Sequence, residues 1–429
     1  MIDKSKIRNA YKSNGFLTIL SFIISGIIVG LVIGLFKKAI HLLSSKMMNL
    51  FNLSHDKPIY IIFILFLFLL IGTFIYFLSK KDPYINGSGI PIIYGMLDDK
   101  FDVKSGKTLI RKFVASILTI GSGLTLGREG PSVQIGGLIG DIVHKHTKSK
   151  EDKRYYIGSS AGAGIAVAFN APISGLLFTV EEIFKKTDRK VFLSTAITVF
   201  SAVITADVCF GNRPALLNVP KFEIMNLSMI GMLIVLGIFV GLSGVLFNYC
   251  VIGSKGFFKK FKINPYIKYL IPFLITAIVL FIDIDLFSSS EPFIFLPLTG
   301  NPSLFRLIFL YVAKILLLAL AFGMGVPGGS LVPLLVIGSL LGNIVATSLA
   351  MGGLLDPSYI FVFSILAMCG HFSAIVRAPI TAIILVVEMT GGAFDYLLGI
   401  SIVSLVAYSV AEICKSKPFY EHLYELMIK

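Results

Sequence analysis

The chain has 429 residues, of which 55% are hydrophobic and 14% charged, with a formal net charge of +14. A soluble globular protein carries roughly a quarter charged residues, so the composition excludes an ordinary soluble domain. The positives sit in connections between apolar runs, which argues for membrane topology and against nucleic-acid binding.

In chain order, the first segment is basic (Lys4, Lys6, Arg8, Lys12) and is followed by the apolar run Phe16–Phe36. Further runs are Ile59–Leu78, Met229–Phe247, Tyr269–Leu286 and, last, about Leu397 to Ile413. A bilayer-spanning helix needs about 20 residues, and the first run, flanked by charge and followed by many more, reads as a span and not a cleaved signal. The fold class is therefore an all-α polytopic membrane protein. Lys and Arg collect on the cytoplasmic side. That rule places the N-terminus and the segments Lys145–Arg154, Lys185–Lys190 and Lys255–Lys262 inside, and Ser288–Ser303, without Lys or Arg, outside. Both termini are expected to be cytoplasmic. The chain reads as a single transport domain over residues 1–429, with a short C-terminal tail over 416–429.

An internal repeat divides that domain. Asn170-Ala-Pro-Ile-Ser-Gly-Leu-Leu-Phe-Thr-Val-Glu181 lies on Arg377-Ala-Pro-Ile-Thr-Ala-Ile-Ile-Leu-Val-Val-Glu388. Upstream, Gly127-Arg-Glu-Gly-Pro-Ser-Val-Gln-Ile-Gly136 matches Gly329-Ser-Leu-Val-Pro-Leu-Leu-Val-Ile-Gly338. The halves run over 15–215 and 225–415, and similarity alone does not say whether they are parallel or inverted. From Ala171 to Glu182 a helix covers roughly 18 Å, short of a ~30 Å hydrocarbon core. Such a segment starts inside the membrane, where non-helical backbone is tolerated only if it is buried in protein or lines a wet cavity.

Three Gly/Pro breaks, Gly87–Pro91, Gly127–Pro131 and Gly329–Pro333, each offer glycines followed by a proline suited to a first helical turn. A helix N-terminus leaves about four N–H groups unbonded and carries roughly half a positive charge. Several such ends converging at mid-membrane make a dehydrated anion site without a full cation. Glu129, in the first turn of one such helix, reads either as a helix-dipole partner or as a gate holding the place of an anion. Arg128 beside it favours an ionised form. Glu182 reads as an interfacial acid beside lysines or as a proton relay on the inner side, and Glu181 and Glu388 read as structural.

Other chemistries have weaker signals. Gly241-Leu-Ser-Gly244 with His371 downstream fits an intramembrane serine protease built on Ser243, and Gly158–Gly162 fits a second such pattern, but small-residue clusters are also what close helix packing requires. No H-E-x-x-H occurs, and His144 and His146 sit in a polar connection, so no metal or other cofactor is expected. The four cysteines, Cys209, Cys250, Cys369 and Cys414, are assigned to packing.

From Gly87 to Tyr420 these motifs resemble the CLC family of chloride channels and chloride/proton exchangers. They are G-S-G-I-P at Gly87–Pro91, G-R-E-G-P at Gly127–Pro131, Phe169–Phe178 followed by Glu181 and Glu182, R-A-P…E-M-T at Arg377–Thr390, and Lys417-Pro-Phe-Tyr420. The resemblance implies an inverted repeat with broken, re-entrant helices meeting at a mid-membrane chloride site, within a homodimer in the lipid bilayer of the plasma (inner) membrane. It implies that Ser88 and Tyr420 offer hydroxyls to chloride, and that amides around Arg128, Gly130, Ser330 and Leu331 complete the path. It further implies that Glu129 is the external gate and proton acceptor, and Glu182 the internal proton-transfer residue. Family channels typically lack the internal glutamate, so Glu182 favours a secondary active exchanger; a passive chloride channel of the same fold is the alternative. Leu331 departs from the family's usual phenylalanine. The short tail leaves no room for cytoplasmic regulatory domains, an expectation of a prokaryotic type.

Overall fold

In the computed structural model, residues 4–147, 151–211, 219–222, 227–260, 262–300 and 302–428 are described, with side chains from Gly15 onward except that of His55. The junction of the two halves (212–218 and 223–226), part of the Lys145–Arg154 connection, and the side chains of the basic N-terminal run lie outside the described residues.

The first half forms α1 (Lys4–Asp56), α2 (Ile59–Lys81), α3 (Ile90–Leu97), α4 (Ser105–Gly121), α5 (Glu129–Thr147), α6 (Lys153–Phe169), α7 (Pro172–Phe178) and α8 (Arg189–Phe210). The second forms α9 (Leu227–Lys259), α10 (Pro265–Ile282), α11 (Leu296–Thr299), α12 (Leu304–Gly323), α13 (Leu331–Met351), α14 (Ile360–Val376), α15 (Pro379–Met389) and α16 (Leu397–Ile413), and the tail forms α17 (Phe419–Ile428). Among the described residues, nine helices are long and apolar enough to cross a bilayer.

The apolar runs sit inside these helices but do not set their ends. α9 has 33 residues, longer than a perpendicular span needs, a mismatch that membrane helices meet by tilting. The run Tyr269–Leu286 is displaced: Asn264 caps α10 and Pro265 starts it, while Leu286, buried, belongs to a 3₁₀ turn beyond the helix end at Ile282.

Two helices lie at the centre. α14 is buried at all its positions, and α6 is buried from Tyr156 to Phe169. Their contacts with α5 and α13 run through glycines: a Cβ on Gly164 would fall 2.1 Å from the Ser132 carbonyl oxygen, and one on Gly342 would fall 2.5 Å from that of Phe363. Membrane helices gain no hydrophobic drive from one another, so close approach of backbones supplies the packing. Peripheral helices instead turn large side chains outward, among them Phe66, Phe77, Ile204 and Leu316.

The halves are inverted. α7 and α15, the two short Pro-initiated helices, lie antiparallel, each ending at the other's start. Glu388 accepts from the amides of Ile173 (3.0 Å) and Ser174 (2.7 Å) and from the Ser174 hydroxyl (2.5 Å). Glu181 does the same for Ile380 (3.3 Å) and Thr381 (2.8 Å and, from its hydroxyl, 2.7 Å). Each carboxylate thus meets orphan donors and the positive end of its partner's dipole. The structural reading of Glu181 and Glu388 sharpens into reciprocal capping across a pseudo-two-fold.

The cysteine assignment needs correction. Cys369 is buried and Cys250, half-buried, packs against the core, whereas Cys209 and Cys414 are exposed, so packing accounts for two of the four.

Glu181→Ala and Glu388→Ala are each expected to lower stability by about 1 kcal/mol, the cost of losing a helix cap whose donors are only partly buried. Thermal unfolding in detergent should show two losses of similar size, as the symmetry requires.

Candidate anion site and proton-transfer residues

The three Gly/Pro breaks start helices as the sequence implied: α3 begins beside Gly89, α5 at Glu129 and α13 at Leu331. Direct backbone bonds join the loops. Gly127 and Gly329 exchange two N–H···O bonds of 2.7 Å, and the Gly328 amide donates to the Gly87 carbonyl at 3.1 Å. Lys112, fully buried on α4, donates to the carbonyls of Ile85 (2.8 Å) and Gly87 (2.6 Å), pinning the loop that carries Ser88. Lys314 on α12 does the same for Leu286 (2.8 Å) and Ser288 (2.7 Å). Buried ammonium groups need such partners.

Around this junction converge buried polar atoms that make no close hydrogen bond among the described residues, Ser88 Oγ, Ser330 Oγ and Tyr420 Oη, together with the Glu129 carboxylate, which faces its own amide, that of Val332 and the Arg128 guanidinium. The Ser330 and Ser88 hydroxyls face the Tyr420 hydroxyl. Gly130 packs on Ser88, where a Cβ would fall 2.3 Å from its hydroxyl. Three hydroxyl donors at the starts of helices, with no cation inserted among them, match the needs of a weakly held, dehydrated anion.

Glu129 is fully buried, and its carboxylate lies over the start of α13: a Cβ on Gly127 would stand 2.5 Å from Glu129 Oε2 and 3.3 Å from the Val332 amide nitrogen. A carboxylate from one half thus occupies the helix N-terminus of the other. Leu331 is the first residue of α13 and is fully buried. Arg128 turns away from the hydroxyls; its Nε stands 3.5 Å from Glu129 Oε1 and its Nη2 3.4 Å from Glu291 Oε1. It lines a cleft of about 660 Å³ with Lys37, Phe169, Glu291, Val332 and Met389.

Glu182 sits elsewhere. The expected helix from Pro172 to Glu182 ends at Phe178 and continues as a π turn, Thr179–Ile183, which re-aims the side chains that follow. Glu182 is 3% exposed and accepts a hydrogen bond from Tyr94 Oη at 2.5 Å. It borders a second cleft, about 570 Å³, with Glu181, Lys185, Arg377, Ile380 and Pro418. Arg377 and Ile380 stand at the start of α15 and Met389 at its end, so the two clefts lie at opposite ends of that helix, roughly 16 Å apart. Tyr420 is within electrostatic reach of both Glu182 and Glu129. Sequence reasoning missed Tyr94, Lys112, Lys37 and Glu291; only Tyr94, one turn beyond G-S-G-I-P, stood near a motif.

Ser243 and His371 do meet: Ser243 Oγ is 3.1 Å from His371 Nε2 and 2.7 Å from Tyr311 Oη, and His371 Nδ1 is 2.7 Å from the Leu334 carbonyl. That carbonyl only accepts, so Nδ1 carries the proton and Nε2 accepts from Ser243, whose oxygen accepts from Tyr311. The chain of bonds is complete within the protein and buried (Ser243 6%, His371 0% exposed), and neither residue borders the two clefts. It ties α9, α12, α13 and α14 together. Among the described residues no group of three or more His, Cys, Asp or Glu side chains is placed to hold a metal.

Fold and site together define an inverted-repeat transport protein whose broken helices meet inside the membrane. The family model described as voltage gated chloride channel matches residues 71–412. The H(+)/Cl(-) exchange transporter ClcA of Vibrio cholerae serotype O1 (strain M66-2) is 31% identical over 431 residues, covering 96% of this chain and 89% of that protein. Among solved structures, a slow cyanobacterial Cl-/H+ antiporter superposes with a TM-score of 0.88 at 28% identity, covering 96% of this chain and 98% of that one. A CLC-type fluoride/proton antiporter shares the fold at a TM-score of 0.77 and 22% identity, covering 94% and 96%. The chain belongs to the voltage-gated chloride channel (CLC) family. It is a transport protein and not an enzyme, which removes the protease reading.

Gly130→Ala is expected to displace the Ser88 hydroxyl and weaken chloride binding by about tenfold, equivalent to roughly 1.4 kcal/mol. Isothermal titration of the purified protein with chloride measures it.

Proposed function

We propose that the protein is a secondary active transporter that exchanges chloride for protons, with Glu129 as the external gate and proton acceptor and Glu182 as the internal proton-transfer residue. The observation that carries this reading is the convergence of unpartnered hydroxyls with a buried carboxylate at the starts of α5 and α13. The ionised Glu129 competes with chloride for the same N–H groups. On protonation it loses its charge and its claim on the dipole, and chloride takes its place among Ser88, Ser330, Tyr420 and the amides near Gly130 and Leu331. Glu182, buried beside the other cleft, receives or supplies the proton away from the anion path. The CLC relatives named as chloride/proton exchangers support the same assignment.

With this reading go a homodimer in the plasma (inner) membrane, both termini cytoplasmic, the Glu182 cleft facing the cytoplasm, and no cofactor beyond the transported chloride.

The test uses vesicles holding the purified protein, a chloride gradient, no proton gradient, and voltage clamped by a potassium ionophore. Uphill proton movement is expected. Glu129→Gln should abolish it while chloride still moves, because a neutral side chain mimics the protonated gate. Glu182→Gln should lower proton flux by about a hundredfold, the low end of the cost of losing a positioned proton-transfer group, with less effect on chloride. Chloride flux without proton movement in the wild type would instead make the protein a passive channel.

A further inference from the structure

We propose that Tyr94 is the positioning residue of the internal carboxylate: its hydroxyl holds Glu182 turned toward α3, and each proton transfer at Glu182 makes and releases that bond. The inference rests on the reading of Glu182 as a proton-transfer residue and assigns the group that controls it.

Every residue of α3 is buried, and Tyr94 itself is 7% exposed, an unusual place for a phenol without a purpose for its hydroxyl. That hydroxyl reaches across to Glu182 Oε1 at 2.5 Å. The ring is held independently, by an edge contact with Tyr424 (centroids 5.9 Å apart, planes at 79°) and by Lys185 Nζ, 5.5 Å from the ring centroid. The hydroxyl is therefore not needed to keep the ring in place. Tyr424 spends its own hydroxyl on Asp98, at 2.6 Å, leaving Tyr94 as the phenol that addresses Glu182.

The chemistry of the pair is directional. An ionised carboxylate only accepts, so Tyr94 O–H must donate to it. When a proton arrives on Glu182, the carboxyl gains an O–H and the phenol oxygen still has lone pairs. The bond then reverses, Glu182 donating to Tyr94, or it breaks and frees the carboxyl to swing. No proton is created or lost; the phenol returns to donating when the proton leaves. The other charged or titratable groups around the pair are Lys185, Glu181, Glu421 and Tyr420, with Lys185 bridged to Glu421 at 3.2 Å. α3 starts two residues after Ser88 of the anion site and carries Tyr94 in its second turn. One short rigid helix thus spaces the anion site from the residue that orients the proton donor.

Tyr94→Phe removes the hydroxyl and keeps the ring contacts. In the vesicle assay the proton-to-chloride ratio is expected to fall by about tenfold, the effect of losing one hydrogen bond to a charged group, while chloride still moves. In a Glu182→Gln background the same change should have no further effect on the ratio, because the two residues act as one unit. A purely structural role would lower both fluxes in proportion and leave the ratio untouched. That result, or an unaltered ratio, overturns the proposal while a coupled wild type leaves the exchanger reading standing. A wild type without coupling overturns both. Should Tyr94→Phe fail to fold, fluorotyrosine at position 94 keeps shape and changes the acidity of the hydroxyl, and an unchanged proton flux there would reject the assignment.

Discussion

The pair of hydrogen bonds between Gly127 and Gly329, 2.7 Å in each direction, is the constraint on which the rest of the site depends. A helix that starts in the middle of a membrane must follow backbone that is not helical, and in lipid every such amide and carbonyl needs a protein partner. Here the two interrupted halves supply each other. The contact is so close that a Cβ on Gly329 would stand 2.9 Å from the Gly127 carbonyl oxygen, while one on Gly127 would stand 2.5 Å from the Glu129 carboxylate. Lys112 and Lys314 extend the principle, each satisfying two loop carbonyls that no helix reaches. With the breaks pinned, α5 and α13 start beside each other, and the Glu129 carboxylate of the first lies over the start of the second.

Scaffold and chemistry obey opposite rules. The scaffold is symmetric: Gly127 pairs with Gly329, Glu181 with Glu388, and Asn170 and Arg377 both take the left-handed conformation (φ 56° and 71°) ahead of the Pro-initiated helices. The candidate functional residues break that symmetry. In the sequence register of the repeat, Glu129 corresponds to Leu331 and Glu182 to Met389, and Tyr420 lies in the tail beyond both halves. Symmetry makes two equivalent helix starts available, and only one of them carries a carboxylate, which on the proposed reading gives the pathway a direction. A glutamate at both positions would place two like charges in one dehydrated site, which is electrostatically costly.

Much of this was legible in the sequence. Short Pro-initiated segments and glycine breaks are local signals, and their recurrence in order revealed the repeat before its inversion was known. What local signals miss is anything made by approach in space. Tyr94 looked like one more large residue on a buried helix until it met Glu182, 88 positions away. Glu291 lies in a connection with no motif, yet it is what Arg128 turns toward. Lys112 stands in no motif, and only its approach to the carbonyls of Ile85 and Gly87 shows what it does. The end of α7 was misjudged because a π turn leaves no mark in apolar periodicity. Ser243 and His371 illustrate the reverse: the distance a protease would need is present, but burial and a closed hydrogen-bond chain make it a brace between helices.

The distribution of unsatisfied polar atoms joins stability to function. Among the described residues, 13 buried side-chain nitrogen or oxygen atoms lack a hydrogen-bond partner, and six of them belong to Ser88, Arg128, Glu129, Ser330 and Tyr420. Each unsatisfied buried group costs on the order of 1–3 kcal/mol, so clustering them in one place is a concentrated loss that folding alone does not explain. It persists because the surrounding structure over-determines it: the glycine bridge, the two lysines and the reciprocal glutamate caps hold the backbone rigid while the side chains at the centre stay unpaired. On the proposed reading, an anion moving through this point would exchange one set of incomplete contacts for another, instead of breaking a full ion pair. Arg128 stands beside this centre with its guanidinium 3.4 Å from Glu291, an arrangement in keeping with a site that holds its anion weakly.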